Sequence, residues 1–216
     1  MAMTSRAVLW DLDGTIVDSA EYHWRAWRDT LALVNFPVTY EQFIQSFGQK
    51  NDRILRRWLG DDTPADRIQQ IGDAKELEYR RLAQEKGLVA LPGAARWVAR
   101  LHERGWRQAI ASSAPRANVE VMLGVLGIDD DFDAIVAAED VTAGKPDPQV
   151  FLKAAERLSV PAGRCVVVED AGAGIEAARR AGMKSIGVSR TTRLAADVFV
   201  ESLQDLTDDA FDLLLP

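Results

Sequence analysis

Apolar residues fall along this chain in short unbroken blocks, separated by longer stretches in which they recur every three or four positions. The blocks are AVLWD (7–11), RQAIAS (107–112), DAIVAA (133–138), RCVVVED (164–170), KSIGVS (184–189) and DVFVE (197–201), and each reads as a buried strand. The intervening stretches read as amphipathic helices. GAARWVARLHERG puts Trp97, Val98 and Leu101 on one face, and PQVFLKAAERLSV does the same with Phe151, Ala154, Ala155 and Leu158. Strand and helix in alternation predict an α/β fold: a doubly wound, mainly parallel sheet covered by helices on both faces. Ligands of such sheets bind outside the carboxyl ends of the strands.

One region breaks the alternation. From about Ser19 to Gly87 there are helix signals and no convincing strand. SAEYHWRAWRDTLALV carries Trp24, Trp27, Leu31 and Val34 at helical spacing. TYEQFIQSFG opens with a capping-box pattern, Thr39 to Gln42, and reaches a C-cap candidate at Gly48. In TPADRIQQIGDAKELEYRRLAQEKG, Thr63 reads as the N-cap, Pro64 as the first helical residue and Gly87 as the stop. The chain therefore divides into a core domain, 1–17 with 88–216, and an all-helical insertion, 18–87, whose tryptophans 24, 27 and 58 form a small core of its own. Inserted at the carboxyl end of the first strand, such a module would act as a lid.

Composition narrows the function classes. A formal net charge of −7 argues against nucleic acid or an anionic membrane as the main partner, and an anionic ligand would need local cations or a metal. No apolar run is long enough to span a bilayer and no signal peptide stands at the start, so a cytoplasmic location is expected, as is a monomer. The single cysteine, Cys165, lies inside a strand block and reads as core filler.

The chemistry gathers at the strand ends. Asp11 and Asp13 stand two residues apart at the end of the first block, followed by Gly14 and Thr15, and two carboxylates so close need an offsetting cation unless they end in solvent. The next sheet strand ends in Ser112-Ser113. Glu139-Asp140 and Lys145 follow the third, and Glu169-Asp170 end the fourth, before the glycine-rich AGAGIEAARRAG. Carboxylates, a hydroxyl and a lysine around one crevice suit phosphoryl transfer through an aspartyl phosphate. One carboxylate attacks phosphorus, a second moves the proton, and Mg²⁺ offsets the charge.

DLDGT, SS after an apolar strand, GKPDP and VVVEDAGAGIEAARRAGM resemble, in order and over essentially the whole chain, the four motifs of the haloacid dehalogenase superfamily of phosphotransferases. The helical insertion resembles that superfamily's C1 cap. The resemblance implies Asp11 as nucleophile and Asp13 as general acid/base that also gives its backbone carbonyl to Mg²⁺. It implies Ser112 as phosphate-binding hydroxyl, Lys145 as the lysine that steadies nucleophile and phosphate, and Asp170, with Glu169, at the metal. Gly14, Thr15, Ser113, Ala114 and Arg116 fall within the substrate-binding segments of the first and second motifs. DSAEYHWRAW is similar to the start of the cap in β-phosphoglucomutases and related sugar phosphatases, which makes His23 a site candidate, together with Gly48, Lys50 and Asn51. Mutases of that group carry an arginine where Asn51 stands. An amide cannot supply the bidentate grip of a guanidinium on a second phosphate, although Lys50 or Arg53 could substitute.

Structural roles compete for several of these residues. Ser112, Ser113, Glu169 and Asp170 could cap helices, His23 could equally be a packed or solvent histidine, and Arg53, Arg56 and Arg57 fit phosphate steering and a solvated face alike. The expectation is a Mg²⁺-dependent phosphatase of a small phosphorylated metabolite, a sugar phosphate, with a hexose-phosphate mutase as the alternative. A dehalogenase would leave Asp13 and Asp170 without purpose, and a non-catalytic receiver-like module would lack the cap and the second aspartate.

Overall fold

The structure, a computed structural model, describes residues 5–47 and 49–215. The chain starts with β1 (Ala7–Trp10), four apolar residues all buried, as a central strand covered on both faces must be. It then passes through α1 (Ala20–Ala32), α2 (Tyr40–Ser46), α3 (Asn51–Leu59) and α4 (Ala65–Lys86) before the alternation resumes. There follow α5 (Ala94–Glu103), β2 (Arg107–Ala111), α6 (Arg116–Leu126), β3 (Ala134–Val136), α7 (Gln149–Leu158), β4 (Cys165–Glu169), α8 (Gly172–Arg180), β5 (Lys184–Val188), β6 (Val198–Val200) and α9 (Ala210–Leu214). All six expected strands are present, each trimmed by a residue or more at its ends.

The sheet runs in the order β3-β2-β1-β4-β5-β6, and every neighbouring pair is parallel. Trp10 lies level with Ile110 of β2 and Val168 of β4. The residues just beyond these, Asp11, Ala111-Ser112 and Glu169, therefore come out along one carboxyl edge. Two backbone bonds extend the ladder to that edge, Asp11 N–H to the Val168 carbonyl and Ser112 N–H to the Val136 carbonyl, both at 3.0 Å. One face of the sheet, with Leu9, Ala109 and Val167, packs on Phe151, Ala154 and Leu158 of α7 and on Ala177 and Ala178 of α8. On the other, Trp10 and Trp97 pack against Phe211 of α9, and the Trp10 indole N–H donates to the buried Gln108 side chain at 2.9 Å.

The molecule folds as two compact units; one ends at Asp18 and resumes at Val89, and the other runs Ser19–Leu88. The helical unit has its own core of Trp27, Leu31, Phe43, Ile54, Leu55 and Ile71, with Trp24 and Trp58 against it. The Trp27 and Trp58 rings meet edge to face at 5.3 Å. The capping box forms as expected: the Thr39 hydroxyl accepts from Gln42 N–H at 3.2 Å, and the Gln42 side chain accepts from Thr39 N–H at 2.8 Å. The expected cap at Gly48 lies outside the described residues. The start of α4 departs from expectation. Pro64, with an extended ψ of 140°, stands at the cap, and the Thr63 hydroxyl donates instead to the Leu59 carbonyl at the end of α3. A short loop let the threonine close the preceding helix. Among the described residues no helix is long and apolar enough to cross a membrane.

Candidate active site

Asp11, Glu169 and Asp170 form one group, each offering a carboxylate oxygen within 4.8 Å of the others. Their convergence follows from the sheet, since β1 and β4 are neighbours and the acids end both strands. Two glycines make room for them. A side chain at Gly14, whose φ is +84°, would put its Cβ 2.1 Å from Asp170 Oδ2, and one at Gly174 would put its Cβ 2.0 Å from the Glu169 carboxyl. Both positions thus exclude any larger residue. The carboxylate of Asp13 is outside this group and half-exposed, although its charge is felt at Asp170.

The Lys145 ammonium is buried between two of the acids, 2.5 Å from Asp11 Oδ1 and 2.6 Å from Glu169 Oε1. Three carboxylates therefore share one ammonium. Burial pushes the Asp11 carboxyl well above its ordinary range despite the pull of Lys145, with Glu169 and Asp170 adding repulsion. Asp170 is pushed up to about 7, first by burial and then by the Glu169 charge. Lys145 is itself buried, yet Asp11 and Glu169 hold it above the usual lysine value. The excess of buried negative charge suits a cation, and three hard oxygen donors fit a divalent metal that prefers oxygen.

On the β2 side, Ser112 is buried and its Oγ accepts from Ala114 N–H at 3.0 Å, so it does not cap α6, whose cap position is Pro115. Ser113 is exposed. Arg116, expected among substrate-binding residues, gives its guanidinium to Asp140 at 2.6 Å and to the Ile135 carbonyl at 3.1 Å, and its backbone N–H to Glu139. Arg157 also pairs with Asp140, at 2.5 Å, which holds that carboxyl far below its ordinary range. Glu139 and Asp140 thus brace the end of β3 and are not in the acid group. Thr15 lies fully buried, and its hydroxyl has no hydrogen-bond partner among the described residues.

In the helical unit, His23 Nδ1 lies 2.8 Å from Lys75 Nζ, and its ring stacks on Tyr79 at 4.0 Å. Lys75, almost wholly buried, also donates to Glu76 at 2.9 Å, and Asn51 Nδ2 donates to Glu76 at 2.6 Å. Burial works against the Glu76 charge, but Lys75, His23 and these bonds hold its carboxyl below the usual value. Lys50 is exposed at the cap of α3, and Gly48 lies outside the described residues. Lys75 and Glu76 were missed from the sequence. The signal was present: Lys75 occupies the register Ile68-Ile71-Lys75-Tyr79-Leu82, where an apolar residue belongs. Cys165 is buried and its thiol is pushed up to about 12 by burial alone, so it is inert core.

Comparison with known proteins agrees with this geometry. A family model described as haloacid dehalogenase-like hydrolase matches residues 5–182. β-Phosphoglucomutase of Bacillus subtilis is 34% identical over 213 residues, 94% of this chain and 92% of that protein. The fructose-1-phosphate phosphatase YqaB of Escherichia coli is 33% identical over 189 residues, 84% of this chain and 95% of that one. A crystal structure of CbbY from Rhodobacter sphaeroides in complex with xylulose-(1,5)bisphosphate matches with a TM-score of 0.86 at 28% identity, covering 94% of this chain and 96% of that one.

Proposed function

From the premise that the chain belongs to the haloacid dehalogenase-like hydrolase family, and is thus an enzyme of a phosphatase and phosphomutase group, we propose a Mg²⁺-dependent phosphatase of a small sugar phosphate. The observation that carries the reading is the Lys145 ammonium held between Asp11 and Glu169, with Asp170 in the same carboxylate group. Asp11, Glu169 and Asp170, with the backbone carbonyl of Asp13, are the residues that would hold Mg²⁺. When bound, the ion offsets the acids' repulsion and the charge of the phosphoryl oxygens.

Asp11 attacks phosphorus, forming an acyl phosphate as the bond to the leaving oxygen breaks. Asp13 gives its proton to that oxygen, which departs as an alcohol. Asp13, now a carboxylate, takes a proton from water as the water oxygen attacks the same phosphorus. Inorganic phosphate leaves and Asp11 is regenerated. Lys145, in contact with Asp11, favours its carboxylate form against the burial that raises it and aims it at phosphorus, and Ser112 donates to a phosphoryl oxygen. The buried setting of Asp11 raises the strength of each of these interactions.

A hydrolase is favoured over a mutase by Asn51. Its amide is engaged by the Glu76 carboxylate, so the pair presents no cation to a second phosphate. The test is a panel including β-glucose 1-phosphate, fructose 1-phosphate and xylulose 1,5-bisphosphate with Mg²⁺, scored for phosphate release and for isomerised sugar. Release from a monophosphate is expected. Conversion of β-glucose 1-phosphate to glucose 6-phosphate faster than release would replace this reading with the mutase.

A further inference from the structure

Residues 112–115 join β2 to α6 and lie in neither element. A series of bonds ties them, and the first residue of α6, to the stretch 135–140 at the end of β3. Ser112 N–H donates to the Val136 carbonyl and Ala138 N–H to the Ala114 carbonyl, both at 3.0 Å. Arg116 N–H donates to the Glu139 carboxylate at 3.0 Å, and its guanidinium donates to Asp140 Oδ2 at 2.6 Å.

Asp140 is the centre of this arrangement. Its carboxylate also accepts from Ala137 N–H at 2.8 Å and from Arg157 at 2.5 Å, and its carbonyl accepts from Lys153 at 2.5 Å. One residue thus joins α6, α7 and the end of β3, an edge strand only three residues long. It stands outside the acid group and has no part in the chemistry above. Two guanidiniums converge on its carboxylate and would repel each other without it.

The consequence falls on one atom. Ser112 Oγ accepts from Ala114 N–H at 3.0 Å, which leaves its own proton to donate. The aim of that O–H follows the place of Ala114, which is held in turn through its carbonyl. We propose that Asp140, acting through Arg116, is a positioning residue for the Ser112 hydroxyl, a role that rests on reading Ser112 as the phosphate-binding hydroxyl. Misplacing a group at a reacting centre by about 1 Å can cost about 10²-fold. Partly exposed ion pairs add little to stability, so removing Asp140 should weaken the site more than it lowers the melting temperature.

The test is a double-mutant cycle on the full chain, with inorganic phosphate and Mg²⁺ as the probe and isothermal titration as the readout. Asp140→Asn and Ser112→Ala should each weaken phosphate binding about tenfold. Their combination should be no more than about twofold weaker than Ser112→Ala alone, because the group that Asp140 positions is already gone. Arg116→Gln should reproduce Asp140→Asn, and it carries the test should that variant fold poorly in melting curves. Additive losses in the cycle, phosphate binding unchanged in either folded variant, or a wild type that binds no phosphate would overturn the proposal. Non-additive losses in a protein that releases no phosphate from any sugar phosphate would uphold it and remove the phosphatase reading. Additive losses in an active phosphatase would do the reverse.

Discussion

Each unit of the molecule buries a cluster of charge, and the two clusters are balanced in opposite ways. In the α/β unit, three carboxylates share the ammonium of Lys145. In the helical unit, one carboxylate, Glu76, faces one ammonium, Lys75, with Asn51 and His23 adding hydrogen bonds. The acids respond accordingly: Asp11 and Asp170 are raised, and Glu76 is lowered. A paired buried charge is a structural device, whereas an uncompensated excess persists only where a ligand supplies the missing charge. The imbalance, more than the count of acids, separates the candidate active site from a cluster equally polar and equally buried.

Substitutions can break that contrast. The largest effect belongs to Asp11→Asn, which removes the nucleophile and should lower phosphate release by about 10⁴-fold or more, with deamidation excluded by mass spectrometry. Lys145→Met should lower kcat by about 10²–10³-fold and destabilise the fold, because among the described residues no other ammonium pairs with these acids. Lys75→Met should cost about 3–5 kcal/mol of stability in denaturant titration by stranding Glu76. Adding Glu76→Gln should recover much of that cost. The corresponding rescue of Lys145→Met by Asp11→Asn should fail, since Glu169 and Asp170 still repel.

The opposite pKa directions make opposite pH signatures. Asp170 is raised to about 7, so the metal-free folded state holds that proton more tightly than the unfolded chain. Its contribution is fully present below about pH 4, the unfolded value, and is lost as pH rises through the folded value. Asp170→Asn should therefore raise the metal-free melting temperature above neutrality, leave it unchanged in acid, and diminish the gain on adding Mg²⁺. Glu76 is lowered, so its contribution is present above the unfolded pKa and lost as pH falls through the folded one. Glu76→Gln should cost stability at neutral pH and little in acid. The smallest effect is expected of Cys165→Ala, which should leave kcat unchanged, since burial keeps that thiol protonated.

The contrast also marks what was legible in the sequence. The six strands were readable because continuous apolar runs have few other uses, and the acids at their ends followed from parallel-sheet geometry. The helical cluster was not readable, because Lys75 and Glu76 look like surface residues until α4 turns their face against Trp27 and His23. The partners of Arg116 were hidden for a related reason. Proximity to Ser112 in the chain suggested a ligand, whereas its partners, Asp140 and Ile135, lie across a strand connection that local pattern does not reveal. Thr63 shows the same limit in miniature: two helix ends competed for one hydroxyl, and the earlier one took it.

The most direct measurement is of the covalent step. Asp13→Asn keeps the nucleophile but can neither protonate the leaving oxygen nor activate water, so with a sugar phosphate and Mg²⁺ phosphate release should stop while a phosphoryl group builds up slowly on the protein. Peptide mapping by mass spectrometry should place that group on Asp11. Phosphate release by this variant at the wild-type rate, or a phosphoryl group on any residue other than Asp11, would contradict the account.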